Sequence, residues 1–213
     1  MADTRKMSIT EALRELKLYD SRIMKALNGS RFVTAAKKSS PMIGNGSVAR
    51  VDFVKAALAD YQSIIDLISN RDKIKAAIVQ SNATTNVEIG GKTYTVAQAI
   101  ERKTSIEYER KLLNVMGNQY ASAHNIVESK NEQVDEKINL LLQNLVGKDS
   151  AKKITEADIS AVADPVRQRD EYELVDPLGL AEKVRMLNDE IEAFESEVDV
   201  KLSISNAITF IEV

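Results

Sequence analysis

Apolar residues recur at a seven-residue interval through Ala99, Ile106, Leu113, Tyr120, Val127, Val134 and Leu141, with Ile138 and Leu145 filling the alternate seam near the end. A register kept over that distance is the signature of a helix whose apolar stripe faces other helices, and it leaves little room for sheet-based folds. Thr95-Val96-Ala97-Gln98 has capping-box spacing, and Gly147-Lys148-Asp149-Ser150 supplies a stop. Because the phase survives Gly117, the spacing predicts one helix over 96–146, on the order of 75 Å long at 1.5 Å per residue. The alternative is a helical hairpin turning at Gly117-Asn118, although a turn would normally reset the phase.

The flanking segments read as shorter elements. Ser8-Ile9-Thr10-Glu11 is a second capping box, followed by Ile9, Leu13, Leu16, Tyr19, Ile23 and Leu27 at helical spacing until Asn28-Gly29. Residues 30–46 lack periodicity and form a long basic loop, a kind of segment that usually carries function or disorder. From about 47 to 80, Val54, Leu58, Tyr61, Ile65, Ile68, Ile74 and Ile78 mark another helix. Residues 85–94 alternate and contain Gly90-Gly91, which predicts a β-hairpin. Thr155 caps a short helix to about 162, and 163–176 is an extended connector with a strand at 172–175. Asp176-Pro177 then provides an N-cap and a first-turn proline for a helix to about 203. A terminal strand over 208–213 closes the chain. The fold class is mainly α: one elongated antiparallel helical bundle or coiled coil over 1–213, with a small β-sheet.

An internal repeat shapes that sheet. Ser81-Asn82-Ala83-Thr84-Thr85-Asn86-Val87-Glu88-Ile89 matches Ser205-Asn206-Ala207-Ile208-Thr209-Phe210-Ile211-Glu212-Val213 at five of nine positions, and each copy follows a long amphipathic helix. Two equivalent helix–strand units placed side by side are implied. The expectation is a sheet of about three strands in which the C-terminal strand joins the hairpin, with Asn82 and Asn206 closing their helices in the left-handed conformation.

The run from Ile74 to Lys103, centred on SNATTNVEIGGKTYTVAQAIERK, resembles a group of helical proteins encoded by phages and prophages of Gram-positive bacteria. SITEALRELKLYDSRI and LNDEIEAFESEVDVKLSISNAITFIEV resemble the ends of the same group in the same order, so the likeness covers most of the chain. More distantly, Asn82-x-x-Thr85, Gly91-x-Thr93 and Ala99-x-x-Arg102 resemble a bacterial family of unknown function labelled septicolysin, without the cysteine chemistry of that label. The resemblance implies a phage setting and a helical fold. It implies no catalytic residues.

Composition narrows the chemistry. There is no cysteine and a single histidine, so thiolate nucleophiles, disulfides, Cys-based metal sites and His-rich clusters are excluded. Twenty-nine basic against 32 acidic residues give a net charge near −3, which argues against bulk nucleic-acid binding. Between Ser21 and Val51, however, Arg22, Lys25, Arg31, Lys37, Lys38 and Arg50 occur without one acid. Arg31, Lys37, Lys38, Ser39, Ser40 and Arg50, beside Gly44-Asn45-Gly46-Ser47 at a helix start, combine cations, hydroxyls and backbone amides able to hold a nucleotide-like anion. Glu132 with Asp135 and Glu192 with Glu195 place carboxylate pairs on helix faces where magnesium could be shared, the pattern of all-α nucleotide pyrophosphatases. Such spacings arise easily among 32 acids, and a solvated face is the plainer reading. His124 falls close to the seam of the long helix, where it would be a structural histidine.

The N-terminus has no signal-peptide core and no stretch reaches membrane-span length, so a soluble protein of the host cytoplasm or the virion is expected. Helices flanking 96–146 are too short to cover its whole seam, which predicts a homo-oligomer. The primary functional expectation is therefore a non-enzymatic phage structural or interaction protein without a cofactor, meeting itself and other phage or host proteins. The alternatives are an anti-defence protein that sequesters an anionic nucleotide signal through the basic loop, and a metal-dependent pyrophosphatase.

Overall fold

The computed structural model describes residues 5–43, 48–147 and 155–213. In chain order the elements are β1 (Lys6–Ser8), α1 (Ile9–Gly29), β2 (Met42–Ile43), β3 (Val48–Ala49), α2 (Arg50–Thr84), β4 (Asn86–Ile89), β5 (Lys92–Thr95), α3 (Val96–Gly147), α4 (Glu156–Asp170), α5 (Leu180–Ile208) and β6 (Phe210–Glu212). The chain is mainly helical, and none of these helices is long and apolar enough to cross a membrane. α3 is one continuous helix through Gly117, as the unbroken heptad phase requires.

Local chemistry explains the helix starts. The Ser8 hydroxyl accepts from the Glu11 N–H while the Glu11 carboxylate accepts from the Ser8 N–H at 2.8 Å, and Thr95 with Gln98 repeats this arrangement at 3.1 and 2.8 Å. Thr155 and Asp158 form the same box at α4. At α5 the Asp176 carboxylate accepts from the N–H groups of Leu178 and Leu180, and Gly179 takes φ +66°. Pro177 therefore sits in a turn before the helix, not in its first turn.

Several other expectations are corrected. α2 and α5 continue through Asn82 and Asn206, and no non-glycine residue among those described has positive φ, so neither asparagine is a left-handed cap. The helices end instead where the Thr85 N–H bonds the Ser81 carbonyl and the Thr209 N–H bonds the Ser205 carbonyl. α4 runs through Pro165 to Asp170, which shortens the connector to 171–179. Pro165 forfeits a backbone bond inside this helix, where Ala163 and Val166 on either side of it are buried against Val134 and Ile138. Residues 172–175 form no strand; the Tyr172 backbone instead bonds the Asn131 side chain with both its N–H (2.8 Å) and its carbonyl (2.9 Å). The basic loop is partly ordered by a two-residue ladder, β2 with β3; its tip, residues 44–47, lies outside the described residues.

The three-stranded sheet does not form. The described strands make three two-stranded antiparallel sheets, β1–β6, β2–β3 and β4–β5. β6 pairs with β1, a three-residue strand too short to register as alternation in the sequence. This reveals a fuller repeat than the nine residues alone. β4 pairs with β5 so that Asn86 meets Thr95 and Val87 meets Tyr94; β6 pairs with β1 so that Phe210 meets Ser8 and Ile211 meets Met7. The Val96 N–H bonds the Thr85 carbonyl at 2.9 Å, and the Ile9 N–H bonds the Thr209 carbonyl at 3.0 Å. Helix, strand, strand and capping-box helix thus recur as α2–β4–β5–α3 and α5–β6–β1–α1, the second assembled from the two ends of the sequence.

By its packing the chain, which reads as one domain in sequence, divides into two compact units: Met1–Thr104 with Ala193–Val213, and Ser105–Glu192. The first buries Met7, Ile9, Ala12, Leu16, Ile74, Ile78 and Ile211 in one cluster. Its hairpin packs on α5, where Tyr94 meets Phe194 edge-on at 5.7 Å and the Glu197 carboxylate accepts from the Gly90 N–H. The second unit is organised around Val134, Ile138, Ala163 and Val166, flanked by ion pairs of Lys137 with Asp170 and Arg167 with Asp135.

Candidate functional site

The basic loop is the first candidate, and its own folding engages two of its key groups. The Arg50 guanidinium donates to the Lys37 carbonyl at 2.8 Å, and the Arg50 N–H to the Pro41 carbonyl at 2.8 Å. The Ser40 hydroxyl donates to the Met42 carbonyl and accepts from the Met42 N–H, a side-chain mimic of a turn. These contacts close the ladder of β2 and β3. Arg31, Lys37, Lys38 and Ser39 are exposed, and the Lys37 carbonyl accepts from both the Arg50 guanidinium and the Ser40 N–H, the latter at 3.0 Å. Gly44 to Ser47, the amide donors of the expected anion cradle, lie outside the described residues.

The acidic pairs are engaged locally or exposed. Asp135 is taken by Arg167 at 3.1 Å, Glu192 accepts from the Asn188 amide at 2.9 Å, and Glu132 is exposed. Glu195 lies in the first compact unit and Glu192 at the edge of the second. Among the described residues no three acidic or histidine side chains gather as a metal site. His124 points outward, 58% exposed, beside Tyr120 and 4.0 Å from Glu128, so it is not a seam residue.

An open depression of about 590 Å³ is lined by Lys130, Val134, Lys137, Arg169, Asp170 and Tyr172. Two of its three cations share one carboxylate: Asp170 accepts two bonds from Arg169, at 2.8 and 3.1 Å, and one from Lys137 at 2.6 Å, while Lys130 donates to the Gln133 side chain at 3.4 Å. Arg169 foremost, then Lys137, hold the Asp170 carboxyl far below the usual carboxylate range. An incoming anion would have to displace that carboxylate to reach Arg169 or Lys137.

What stands out is apolar surface, and its place differs from the sequence expectation. The α3 seam is largely covered: Ala99, Ile106, Val134 and Ile138 are buried, Leu113, Tyr120 and Val127 half-buried, and only Leu141 and Leu145 at its end are exposed. Half-buried Leu142 rather than Leu141 joins the cluster with α4. α2 behaves differently. Its inner face turns Ile64, Ile74 and Ile78 inward, while Val51, Val54, Leu58, Tyr61, Ile65 and Ile68 form a second apolar line, all exposed. Steps of three, four, three, four and three are an uninterrupted heptad seam. Five of these six residues mark the helix in the sequence together with Ile74 and Ile78, but a helix with two apolar faces cannot be resolved by its apolar spacing alone.

Comparison with protein-family models, with curated proteins and with solved structures finds no match.

Proposed function

We propose that this chain is a non-enzymatic structural or interaction protein that associates with copies of itself through its helices, in the phage setting implied by the resemblance. The observation that carries the reading is the exposed heptad line on α2. Water-facing apolar residues in unbroken register have an energetic reason to be covered, since each buried side chain contributes of the order of 1–3 kcal/mol. The internal use of Arg50, Ser40 and Asp170 also weighs against ligand chemistry at the most basic surfaces.

Sedimentation of the full chain across a range of concentrations tests the reading. A particle heavier than one chain that dissociates on dilution is expected, and a strictly monomeric protein at high concentration would remove the proposal. Mass spectrometry of purified virions against infected-cell lysate separates a virion component from an intracellular factor.

A further inference from the structure

We propose that the groove between the first turns of α1 and the last turns of α5 is a phosphate-binding site. It is open, about 590 Å³ in volume, and lies wholly within the first compact unit, so it stands whether or not copies of the chain associate. Every polar side chain that lines it can donate: Arg14 and Lys17, the hydroxyls of Thr10 and Ser203, and the amide of Asn206. Among the described residues no carboxylate lines it. The depression beside α4 differs, because there Asp170 already engages Arg169 and Lys137.

The donors are also unspent. Among the described residues, no hydrogen bond or ion pair engages the side chain of Arg14, Lys17 or half-buried Asn206. The field of Arg14 reaches the Glu11 carboxylate, but that group is held by the capping box, accepting from the Ser8 N–H at 2.8 Å and from the Ser8 hydroxyl at 3.0 Å. Arg14 and Lys17 are three residues apart and stand on adjacent turns of one helix face, where a planar guanidinium fork and a mobile ammonium together match the two charges of a phosphate. Leu13 and Ala207 give the groove an apolar side on which the uncharged body of an organic ester can lie.

The internal repeat supplies the control. Leu13, Asn206 and Ala207 correspond to Ile100, Asn82 and Ala83 of the other half, so the framework of the groove is kept. Thr10, Arg14, Lys17 and Ser203 correspond instead to Ala97, Glu101, Thr104 and Val79. The same helix and strand geometry therefore forms with apolar, neutral or acidic residues at these four places. Packing does not call for cations and hydroxyls there, and their gathering in one half is a property of the groove.

Calorimetric titration of the full chain with adenosine monophosphate, adenosine and inorganic phosphate tests the site. Adenosine monophosphate should bind, and adenosine should bind about tenfold more weakly or not at all, because a hydrogen bond to a charged group is worth about that factor. Tighter binding of the nucleotide than of inorganic phosphate identifies an organic ester as the source of the group; equal binding identifies the free ion. Arg14→Glu with Lys17→Thr, which installs the residues of the equivalent face, should weaken phosphate binding roughly a hundredfold with circular dichroism unchanged. Asn206→Asp, which adds a negative charge at almost constant volume, should weaken it in the same direction. Lys37→Ala with Lys38→Ala should leave it unaltered. No binding of either phosphate, adenosine bound as tightly as its phosphate, or binding undiminished by the Arg14 and Lys17 substitutions would overturn the site. Loss confined to the Lys37 and Lys38 variant would place the phosphate on the basic loop and overturn the groove as well.

Discussion

The two halves of the internal repeat have the same helix exit, the same strand register and the same capping geometry, yet they are connected in different ways. In α2–β4–β5–α3 the strands are joined by Gly90-Gly91, at φ +55° and +72°. In α5–β6–β1–α1 the corresponding place is occupied by Arg5 and Val213, whose backbones exchange two hydrogen bonds of 3.0 Å. The pairing therefore does not need the turn. It follows from the buried pairs, half-buried Tyr94 opposite Val87 and buried Met7 opposite Ile211, and from caps that aim each following helix.

The largest effects should come from the buried strand residues. Ile89→Ala and Ile211→Ala should each cost about 2–4 kcal/mol in denaturant unfolding, because each leaves a cavity beside well-packed neighbours. A small loss at either position would mean that its half is peripheral to the fold. Next come the turn glycines. Gly90→Ala should cost about 2 kcal/mol, since positive φ is compounded by a Cβ only 3.2 Å from that of Ala193; Gly91→Ala, with open space around it, should cost about half as much. Equal costs would show that the approach of the hairpin to α5 is looser than the geometry states.

The caps test the equivalence directly. Ser8→Ala and Thr95→Ala should each lower stability by about 1 kcal/mol. They should separate in acid. Glu11 is held below the usual carboxylate range, first by the Ser8 N–H and then by the Ser8 hydroxyl, whereas its counterpart Gln98 does not titrate. The Glu11 contribution is thus present above the ordinary carboxylate pKa and lost as pH falls through its lowered value. Glu11→Gln should flatten that part of an acid unfolding profile, and an unchanged profile would remove the assignment. The smallest effect should be that of a circular permutant in which two glycines join Val213 to Arg5 and the chain opens between Gly90 and Gly91. It should retain native circular dichroism and unfold within roughly 1–2 kcal/mol of the parent.

Much of this was written locally. The capping boxes at Ser8, Thr95 and Thr155, the uninterrupted phase past Gly117 and the Gly90-Gly91 turn each depend on neighbours within a few residues, and each appears where the spacing places it. The Ser-Asn-Ala repeat was legible, but its asparagines were misread as caps, because Asn is as compatible with a last helical turn as with a left-handed exit. The full repeat had a signal as well: Ser8-x-x-Glu11-Ala12 parallels Thr95-x-x-Gln98-Ala99, with both alanines fully buried. Among the candidate site residues, Arg50 and Ser40 looked like anion donors because a sequence records a charge or hydroxyl without showing which nearby carbonyl will claim it.

Sequence alone determined the helical class, the starts of α1, α3 and α4 and the length of α3, since hydrogen bonding over three or four residues and a kept apolar period are short-range properties. Only the tertiary structure decided that β6 lies against β1, that Pro165 stays inside a helix, and that the uncovered seam belongs to α2 while most of that on α3 is covered. Those outcomes turn on which distant surfaces compete for the same apolar contact, and a one-dimensional pattern shows that a face must be buried without showing what will bury it.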